Sequence, residues 1–217
     1  MRVALEAPAA AYRIPAAPQD VARAAQQYGL PSDVGWFVYV GGFNPHKHVD
    51  AIVRAHAALV GDLADPPMLV LVGAVDDDPF YGAQQRIRDE IARCGTEDHV
   101  RWAGYVPDDE LRHVLSGALA LVLPSESEGF GLPAVEAATC GVPVIATTES
   151  PLPQLLVGGG IFTAPRDELA LGAAMRRLAT DEPHRRALAA TALARAGTLS
   201  WTSSARAALD ALVEAAA

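Results

Sequence analysis

The fold is decided by one stretch, ALALVLPSESEGFGLPAVE, at residues 118–136. Its first six residues are apolar and Pro124 ends the run, which is typical of a buried strand in a parallel sheet. Pro133 stands where the first turn of a helix would begin, and the apolar residues after it can form one face of a short helix that ends at Cys140 and Gly141. The stretch therefore predicts a strand, a glycine-containing loop and a helix.

The loop of this unit has the features of an anion-binding site. Gly129 and Gly131 let the backbone approach a ligand closely, and the following helix directs its free N–H groups and the positive end of its dipole into the same space. Glu128 lies in the loop and Glu136 lies in the helix, so two carboxylates border this space. Carboxylates beside an anion are expected to bind hydroxyl groups. A phosphate that carries sugars on both sides, as in a nucleotide-sugar, satisfies the whole arrangement.

At these residues the chain resembles the group 1, retaining glycosyltransferases with the GT-B fold. Their signature, E-G-F-G-L-P-x-x-E, is matched by Glu128-Gly129-Phe130-Gly131-Leu132-Pro133 and Glu136. The resemblance is specific, because a carboxylate pair, two glycines and a proline all keep their register. It implies that Glu128 lies at the donor sugar, that the backbone at residues 129–132 holds the diphosphate and that Glu136 binds the ribose hydroxyls.

Strand and helix patterns alternate on both sides of this unit. They predict a single Rossmann-like α/β/α domain of three layers with a mainly parallel sheet, and the resemblance implies the C-terminal half of a GT-B fold. Strand patterns occur at 36–40, 68–73, 100–107 with its turn, 118–123, 142–147 and, as a short edge strand, 161–163. Helix patterns occur at 20–28, 81–94, 168–180, 182–196 and 203–216, and others begin near 49, 108 and 133.

The chain has 217 residues, enough for one large domain or two small ones with a proper core. We divide it into an alanine-rich, proline-broken extension or linker at residues 1–31 and a nucleotide-sugar-binding Rossmann-like domain at residues 32–217. In the family that the chain resembles, a whole acceptor-binding domain comes before this point. The resemblance therefore implies a donor-binding half whose N-terminal acceptor domain is supplied in cis or in trans.

The composition excludes several classes of protein. With 51% apolar and 20% charged residues and a formal net charge of -9, the chain is typical of a soluble globular protein and lacks the basic surface that nucleic acid or an anionic membrane requires. No apolar run is long enough for a membrane span. Two cysteines, Cys94 and Cys140, give no disulfide framework and are expected to be small core residues. We therefore expect a cytoplasmic protein that could attach peripherally to the inner membrane.

A lysine follows the first predicted strand. Lys47 lies in a loop between strand and helix at the carboxyl end of that strand, where open α/β sheets bind ligands, and it resembles the family lysine that reaches the donor diphosphate. Many relatives have Gly-Arg where this chain has Gly41-Gly42, and that arginine also binds the diphosphate. Gly42 should therefore weaken donor binding or transfer the task to another group. His46 could donate a hydrogen bond to phosphate, but His46 and His48 are more simply solvated loop residues.

Two further loops carry a candidate function beside a simpler explanation. By resemblance, Tyr105 and Val106 border the nucleotide base, although the same residues could form a plain turn. The acidic run at residues 76–78 follows a strand, as the metal ligands of a metal-dependent GT-A transferase would. Acidic residues before a helix are also favourable without a metal. We expect no metal site and no cofactor.

A dinucleotide site is the rival interpretation of the central motif. Residues 129–134 also fit G-x-G-x-x-A, and Glu149 stands about where a dinucleotide fold places its ribose-binding acid. However, the predicted strand ends near Leu123, several residues before Gly129, and the motif comes late in the series of strands and helices. Both features disfavour a dinucleotide turn, which follows the first strand closely.

The resemblance implies transfer of a sugar from a nucleoside-diphosphate sugar with retention of anomeric configuration. Lys47, the loop amides and the helix N-terminus would stabilise the departing diphosphate, and Glu128 would position the sugar hydroxyls. The isolated half is expected to be inactive by itself. The alternative is a non-catalytic nucleotide-sugar-binding module that lacks the acceptor domain, an interpretation kept open by Gly42.

Overall fold

A parallel sheet of six strands lies at the centre of the computed structural model, which describes residues 3–13, 16–31, 34–74 and 81–216. The strands are β1 (Trp36–Val40), β2 (Met68–Val72), β3 (Val100–Gly104), β4 (Ala120–Leu123), β5 (Val144–Thr147) and β6 (Gly160–Thr163). Their spatial order is β3-β2-β1-β4-β5-β6, and every neighbouring pair is parallel. This is the order of a Rossmann fold, so the predicted fold class is confirmed.

A helix follows each of the six strands along the chain. They are α1 (Pro18–Gln27), α2 (Val49–Asp62), α3 (Tyr81–Cys94), α4 (Asp108–Ser116), α5 (Leu132–Thr139), α6 (Leu152–Leu155), α7 (Glu168–Thr180), α8 (Glu182–Ala196) and α9 (Trp201–Ala216). Short 3-10 turns lie at Ala10–Arg13, Pro45–Lys47 and Glu97–His99.

The helices form two groups on the sheet. Helix α2 packs against α3 and α7, whereas α5 packs against α4 and α8. Successive strands are added in one direction from β1 to β3 and in the other direction from β4 to β6. Because parallel crossovers are right-handed, this change of direction places α2 and α3 on one face of the sheet and α4 and α5 on the other. The inner strands β2, β4 and β5 are buried along their whole length, as strands covered on both faces should be.

The observed ends of several elements differ slightly from the predicted ends. Helix α1 begins at Pro18 rather than residue 20, since proline is well suited to the first turn of a helix. Strand β4 begins at Ala120 because the preceding Ala118 is held in a turn, where its N–H bonds to the carbonyl of Leu115. Helix α9 begins at Trp201, two residues before its predicted start.

The segment before residue 31 contributes to the core. Ala7, Tyr12 and Leu30 are buried, and α1 packs against α4. The Tyr12 hydroxyl donates to Oδ1 of Asp108 over 3.0 Å. The division of the chain at residue 31 remains a prediction, but the residues before it are packed on the domain.

Other predictions concern single residues. Cys94 and Cys140 are free thiols, partly buried and packed against the core. The acidic run at residues 76–78 lies outside the described residues. No helix in the described part of the chain is long and apolar enough to cross a membrane.

Candidate functional site

The candidate site lies where the strand order changes direction. Strands β1 and β4 are neighbours, but β1 is followed by α2 on one face and β4 by α5 on the other, so the loops leaving their carboxyl ends diverge. Open α/β sheets bind ligands in the crevice that this divergence creates. Lys47 follows β1 and Glu128 follows β4, so one predicted site residue comes from each side of the crevice.

Lys47 and Glu128 form an ion pair across this crevice. Nζ of Lys47 lies 2.7 Å from Oε1 of Glu128, and the hydroxyl of Ser125 donates to the same oxygen over 2.5 Å. The side chains of Lys47 and Glu128 are only 20% and 10% exposed, so water screens the pair weakly. The two residues predicted to be catalytic are therefore brought into direct contact.

Lys47 is also the only lysine of the chain, although lysine and arginine together number 17. Every other fixed cation is thus an arginine. A single lysine held in a crevice, rather than spread over a solvated surface, points to a position that needs a compact ammonium group. This signal was available in the sequence and strengthens the assignment of Lys47.

The loop after β4 is held in place by its backbone. The N–H of Glu128 bonds to the carbonyl of Glu149 over 3.0 Å, and the N–H of Glu126 bonds to the carbonyl of His46 over 2.8 Å. Within the described part of the chain, the N–H groups of residues 129–132 have no hydrogen-bond acceptor. Those four amides, two of them on glycines, are available to a ligand. An anion would satisfy them.

The fold constrains the two glycines of the motif differently. Gly131 has φ +77, and a Cβ on it would lie 2.6 Å from Cδ1 of Leu152, so the fold itself requires glycine there. Gly129 does not have a positive φ, and a Cβ on it would meet nothing within 4 Å. Gly129 is therefore free of fold constraints and remains the better candidate for close approach of a ligand.

Phe130 and Leu132 flank Gly131 and are half-buried, and Phe130 packs against the core. Helix α5 begins at Leu132 and carries Pro133 in its first turn. These apolar residues fix the start of the helix. The backbone, rather than their side chains, offers polar groups to the crevice.

Glu136 is half-buried in α5, and its side-chain carboxyl has no hydrogen-bond partner among the described residues. Burial, and secondarily the charge of Asp108, raises its pKa from an ordinary 4.5 to about 7. Burial and then the nearby Glu136 also raise the pKa of Tyr12. Leaving a partly desolvated carboxyl unpaired costs free energy of folding, so Glu136 is a candidate for a functional residue. Its carboxyl can accept hydrogen bonds from a diol.

Tyr105 and Val106 lie in the loop from β3 to α4. Tyr105 is 75% exposed, whereas Val106 is buried. The loop leads directly into Asp108 at the start of α4, the residue whose charge acts on Glu136. The structure therefore connects this loop to the Glu136 end of the crevice. The role of Tyr105 and Val106 at a base remains a prediction.

Gly42 is exposed at the end of β1, and its carbonyl accepts a hydrogen bond of 2.5 Å from the hydroxyl of Tyr39. Burial, followed by the charge of Glu128, raises the pKa of Tyr39. A Cβ on Gly42 would make only an ordinary contact, 3.6 Å from Oδ1 of Asn44. The backbone at Gly42 could therefore carry a larger side chain without rearrangement.

A cluster around Glu126 was missed by sequence reasoning. Nε2 of His48 lies 2.7 Å from Oε2 of Glu126, and Nε of Arg166 donates to the same oxygen over 2.9 Å. These hydrogen bonds, that of His48 first and that of Arg166 second, lower the pKa of Glu126. The expectation that His48 is merely solvated is wrong, since its side chain is only 19% exposed and is paired. His46 is exposed, as expected.

Neither a metal site nor the dinucleotide alternative gains support from the geometry. No group of three His, Cys, Asp or Glu residues that could hold a metal ion occurs among the described residues. The G-x-G-x-x-A pattern follows β4 rather than β1, and residues 124–128 separate the strand from it. The backbone carbonyl of Glu149 accepts a hydrogen bond from the N–H of Glu128 and so supports the loop after β4.

A cavity of about 390 Å³ lies outside the crevice, between the β1–α2 loop, α2 and α3. It includes His48 in its wall but neither Lys47, Glu128 nor Glu136. This cavity is therefore separate from the predicted donor residues.

Comparison with known proteins agrees with this geometry. The family model of the group 1 glycosyl transferases matches residues 20–195. The O-antigen chain mannosyltransferase B of Escherichia coli is 31% identical over 189 residues, which are 87% of this chain and 48% of that protein. The chain thus spans about half the length of this curated relative.

Solved structures show the same fold. Sucrose-phosphate synthase from Thermosynechococcus elongatus superposes with a TM-score of 0.82 at 27% identity, over 98% of this chain and 53% of that one. HepE of Anabaena, solved in complex with UDP and glucose, has a TM-score of 0.83 at 21% identity, over 95% of this chain and 55% of that one. The chain belongs to the group 1 glycosyltransferases and matches the C-terminal half of their GT-B fold.

Proposed function

We propose that this chain is the donor-binding half of a glycosyltransferase that transfers a sugar from a nucleoside-diphosphate sugar with retention of configuration. The observation that carries the proposal is the Lys47–Glu128 ion pair, which spans the crevice between β1 and β4 beside four free backbone amides. A cation and free amides suit a diphosphate, and a carboxylate beside them suits the sugar hydroxyls.

Each group then has a defined task in the reaction. The bond between the anomeric carbon and the diphosphate oxygen breaks, and its electron pair stays on that oxygen. Lys47 and the amides of residues 129–132 stabilise the charge that develops there. The acceptor hydroxyl attacks from the face that the leaving group vacates, and its proton passes to the departing phosphate. Glu128 positions the sugar hydroxyls and Glu136 accepts from the ribose.

One structural neighbour supports the donor class, and one sequence relative supports the reaction type. HepE of Anabaena, which shares the fold, was solved with UDP and glucose together. The D-inositol 3-phosphate glycosyltransferase of Frankia alni, which is 33% identical over 87% of this chain, supports the transfer of a glycosyl group. The proposed donor is a nucleoside-diphosphate hexose.

We also propose that an acceptor-binding domain completes the enzyme. Helix α9 has no buried residue along its described length, and its apolar side chains project from the domain. Four of them are more than half exposed: Trp201, Leu209, Leu212 and Val213. Trp201, Leu209 and Leu212 lie on one side of the helix by their spacing. A second domain would cover this apolar side.

The second candidate is a non-catalytic nucleotide-sugar-binding module. It is favoured by Gly42, which stands where the family resemblance implies a phosphate-binding arginine. The two candidates differ in one measurement, namely sugar transfer when a separate acceptor domain of a group 1 relative is added. Transfer supports the enzyme, whereas donor binding without transfer supports the module.

The donor site is tested by thermal unfolding with UDP, GDP, ADP and their common hexose conjugates at pH 8, where Glu136 is ionised. A ligand at a hundred times its dissociation constant adds about 2.7 kcal/mol, or roughly 5–10 °C for a domain of this size. Glu136→Ala should abolish the shift. Asp62→Asn is the matched control, because Asp62 is an exposed carboxylate whose ion pair with Arg176 lies outside the crevice. No shift with any nucleotide, or an equal shift in Glu136→Ala, would count against the assignment.

A further inference from the structure

Glu126 links three loops at the carboxyl edge of the sheet. Its Oε2 lies 2.7 Å from Nε2 of His48 and accepts from Nε of Arg166 over 2.9 Å. His48 follows β1, Glu126 follows β4 and Arg166 follows β6. One carboxylate oxygen therefore joins segments that are 78 and 40 residues away along the chain.

Both partners of Glu126 have an unusual backbone. His48 has φ 51 and Arg166 has φ 64, and no other non-glycine residue in the described ranges has a positive φ. Such a conformation is strained for a residue with a side chain and persists only where the surroundings enforce it. The two strained residues precede α2 and α7, which pack together. Strained backbone at both partners of Glu126 indicates that the surrounding structure holds these two contacts in place.

The Glu126 contacts run beside the Lys47–Glu128 pair. His48 follows Lys47 directly, and Glu126 lies two residues before Glu128. The two loops are joined a third time by the backbone, through the N–H of Glu126 and the carbonyl of His46. Lys47 ends a single 3-10 turn, and the side chain of His48, the next residue, attaches the end of that turn to Glu126. The orientation of Lys47 thus depends on where His48 is held.

We infer that Glu126 is a positioning residue, which fixes Lys47 in the crevice by anchoring His48 and Arg166. The inference rests on the proposed function, since the purpose of fixing Lys47 is to present its ammonium to the donor diphosphate. Glu126 itself points to the anchors, and no contact with the donor is assigned to it. By holding the backbone next to Lys47, the Glu126 carboxylate reduces the number of conformations that the flexible Lys47 side chain can adopt before it binds.

The first test uses the fact that Lys47 is the only lysine, so an amine reagent reports this side chain alone once the N-terminus is separated by peptide mapping. The rate of acetylation of Lys47 by acetic anhydride is measured by mass spectrometry, without any nucleotide. Glu126→Gln and Glu126→Ala should each raise this rate several-fold, because a released lysine spends more time exposed. The control Asp62→Asn should leave the rate unchanged. An unchanged rate in both Glu126 variants, at unchanged thermal stability, would overturn the inference whatever the protein binds.

The second test asks whether the effect reaches the donor. Dissociation constants for UDP, GDP and ADP, and for UMP, GMP and AMP, are measured by calorimetry on the wild type, Glu126→Gln, Lys47→Met and the double variant. Loss of one well-oriented hydrogen bond predicts roughly three- to tenfold weaker diphosphate binding in Glu126→Gln, with monophosphate binding unchanged. The double variant should bind diphosphate no worse than Lys47→Met, since Glu126 acts through Lys47.

The outcomes separate the two proposals. Equal weakening of mono- and diphosphate binding, or additive losses in the double variant, would contradict the positioning role. A wild type that binds none of the nucleotides would remove the proposed function, while the acetylation rates would still decide whether Glu126 holds Lys47.

Discussion

The Lys47 ammonium lies 2.7 Å from a Glu128 carboxylate oxygen that also accepts from Ser125, so a diphosphate that reaches this lysine must compete with Glu128. We predict that Glu128→Gln binds the bare nucleoside diphosphate as tightly as the wild type or more tightly, because the competing charge is gone. The same variant should lose the additional affinity that the sugar gives to the nucleotide-sugar.

Lys47→Met provides the opposite pattern. It keeps the length of the side chain but removes the charge, and a hydrogen bond to a charged group contributes about 1.5–3 kcal/mol, so diphosphate affinity should fall roughly 10- to 100-fold. Calorimetry with the nucleoside diphosphate and its sugar conjugate measures both variants. Weaker binding of the bare diphosphate by Glu128→Gln would show that this carboxylate does not compete for Lys47.

The two glycines of the motif should respond differently to alanine. Gly131→Ala requires a positive φ of an alanine and places its Cβ 2.6 Å from Leu152, so we expect a loss of about 2–3 kcal/mol in the free energy of unfolding. Gly129→Ala meets open space, so it should change stability by less than about 0.5 kcal/mol but weaken diphosphate binding. Urea unfolding and calorimetry on each variant test this. Unchanged diphosphate affinity in Gly129→Ala would remove the close approach at that residue.

Glu136 should make stability depend on pH. Its folded-state pKa is near 7 instead of 4.5, so ionisation opposes folding, and this destabilisation grows from about pH 4.5 to pH 7 and stays constant above. Glu136→Gln should therefore unfold at a higher temperature than the wild type at pH 8 but at about the same temperature at pH 4.5. Since the group is partly exposed, we expect a gain of about 1–2 kcal/mol at pH 8. A gain that is the same at both pH values would contradict the raised pKa.

The same residue predicts how nucleotide affinity depends on pH. Only the ionised carboxyl accepts two hydroxyl hydrogen bonds well, so affinity should fall as the pH drops below about 7. In Glu136→Gln the affinity should be low and independent of pH in this range. A wild-type affinity that is flat between pH 6 and pH 8 would count against a ribose contact.

Gly42 allows a gain of function to be tested. A side chain at this position would meet only Asn44 at an ordinary distance, so Gly42→Arg should fold normally. If the crevice binds a diphosphate, the added guanidinium should tighten binding roughly tenfold, as expected for a charged hydrogen-bonded contact. The control Gly42→Ala should bind like the wild type. Equal affinities in Gly42→Arg and the wild type would mean that the carboxyl end of β1 does not face the diphosphate.

Sequence reasoning succeeded where the signal is local. The buried strands read as apolar runs because helices cover both faces of the sheet, and Leu123 ends such a run before the motif. The E-G-F-G-L-P-x-x-E pattern is equally local, so Glu128 and Glu136 could be found without knowledge of the fold. Lys47 could be placed at the carboxyl end of a strand for the same reason.

Contacts between distant loops were not predictable in this way. Glu126 meets His48 across 78 residues, and no periodicity records which loop side chains will pair. The positive φ of His48 was equally hidden, because nothing in the local sequence requires it. The packing of Tyr12 was missed for another reason, because an alanine-rich segment with prolines gives no amphipathic pattern. The buried Tyr12 side chain nevertheless attaches this segment to the domain.

The attachment of Tyr12 determines where this module can be cut for recombination between enzymes. Its hydroxyl bonds to Asp108, its carbonyl accepts from the Cys140 thiol, and Asp108 in turn acts on Glu136. A chimera joined at residue 31 would exchange the surroundings of Glu136 together with the foreign half. A junction at or before residue 3 would transplant the proposed nucleotide site together with Tyr12. If the proposal is right, donor preference should follow the graft more fully in this second design.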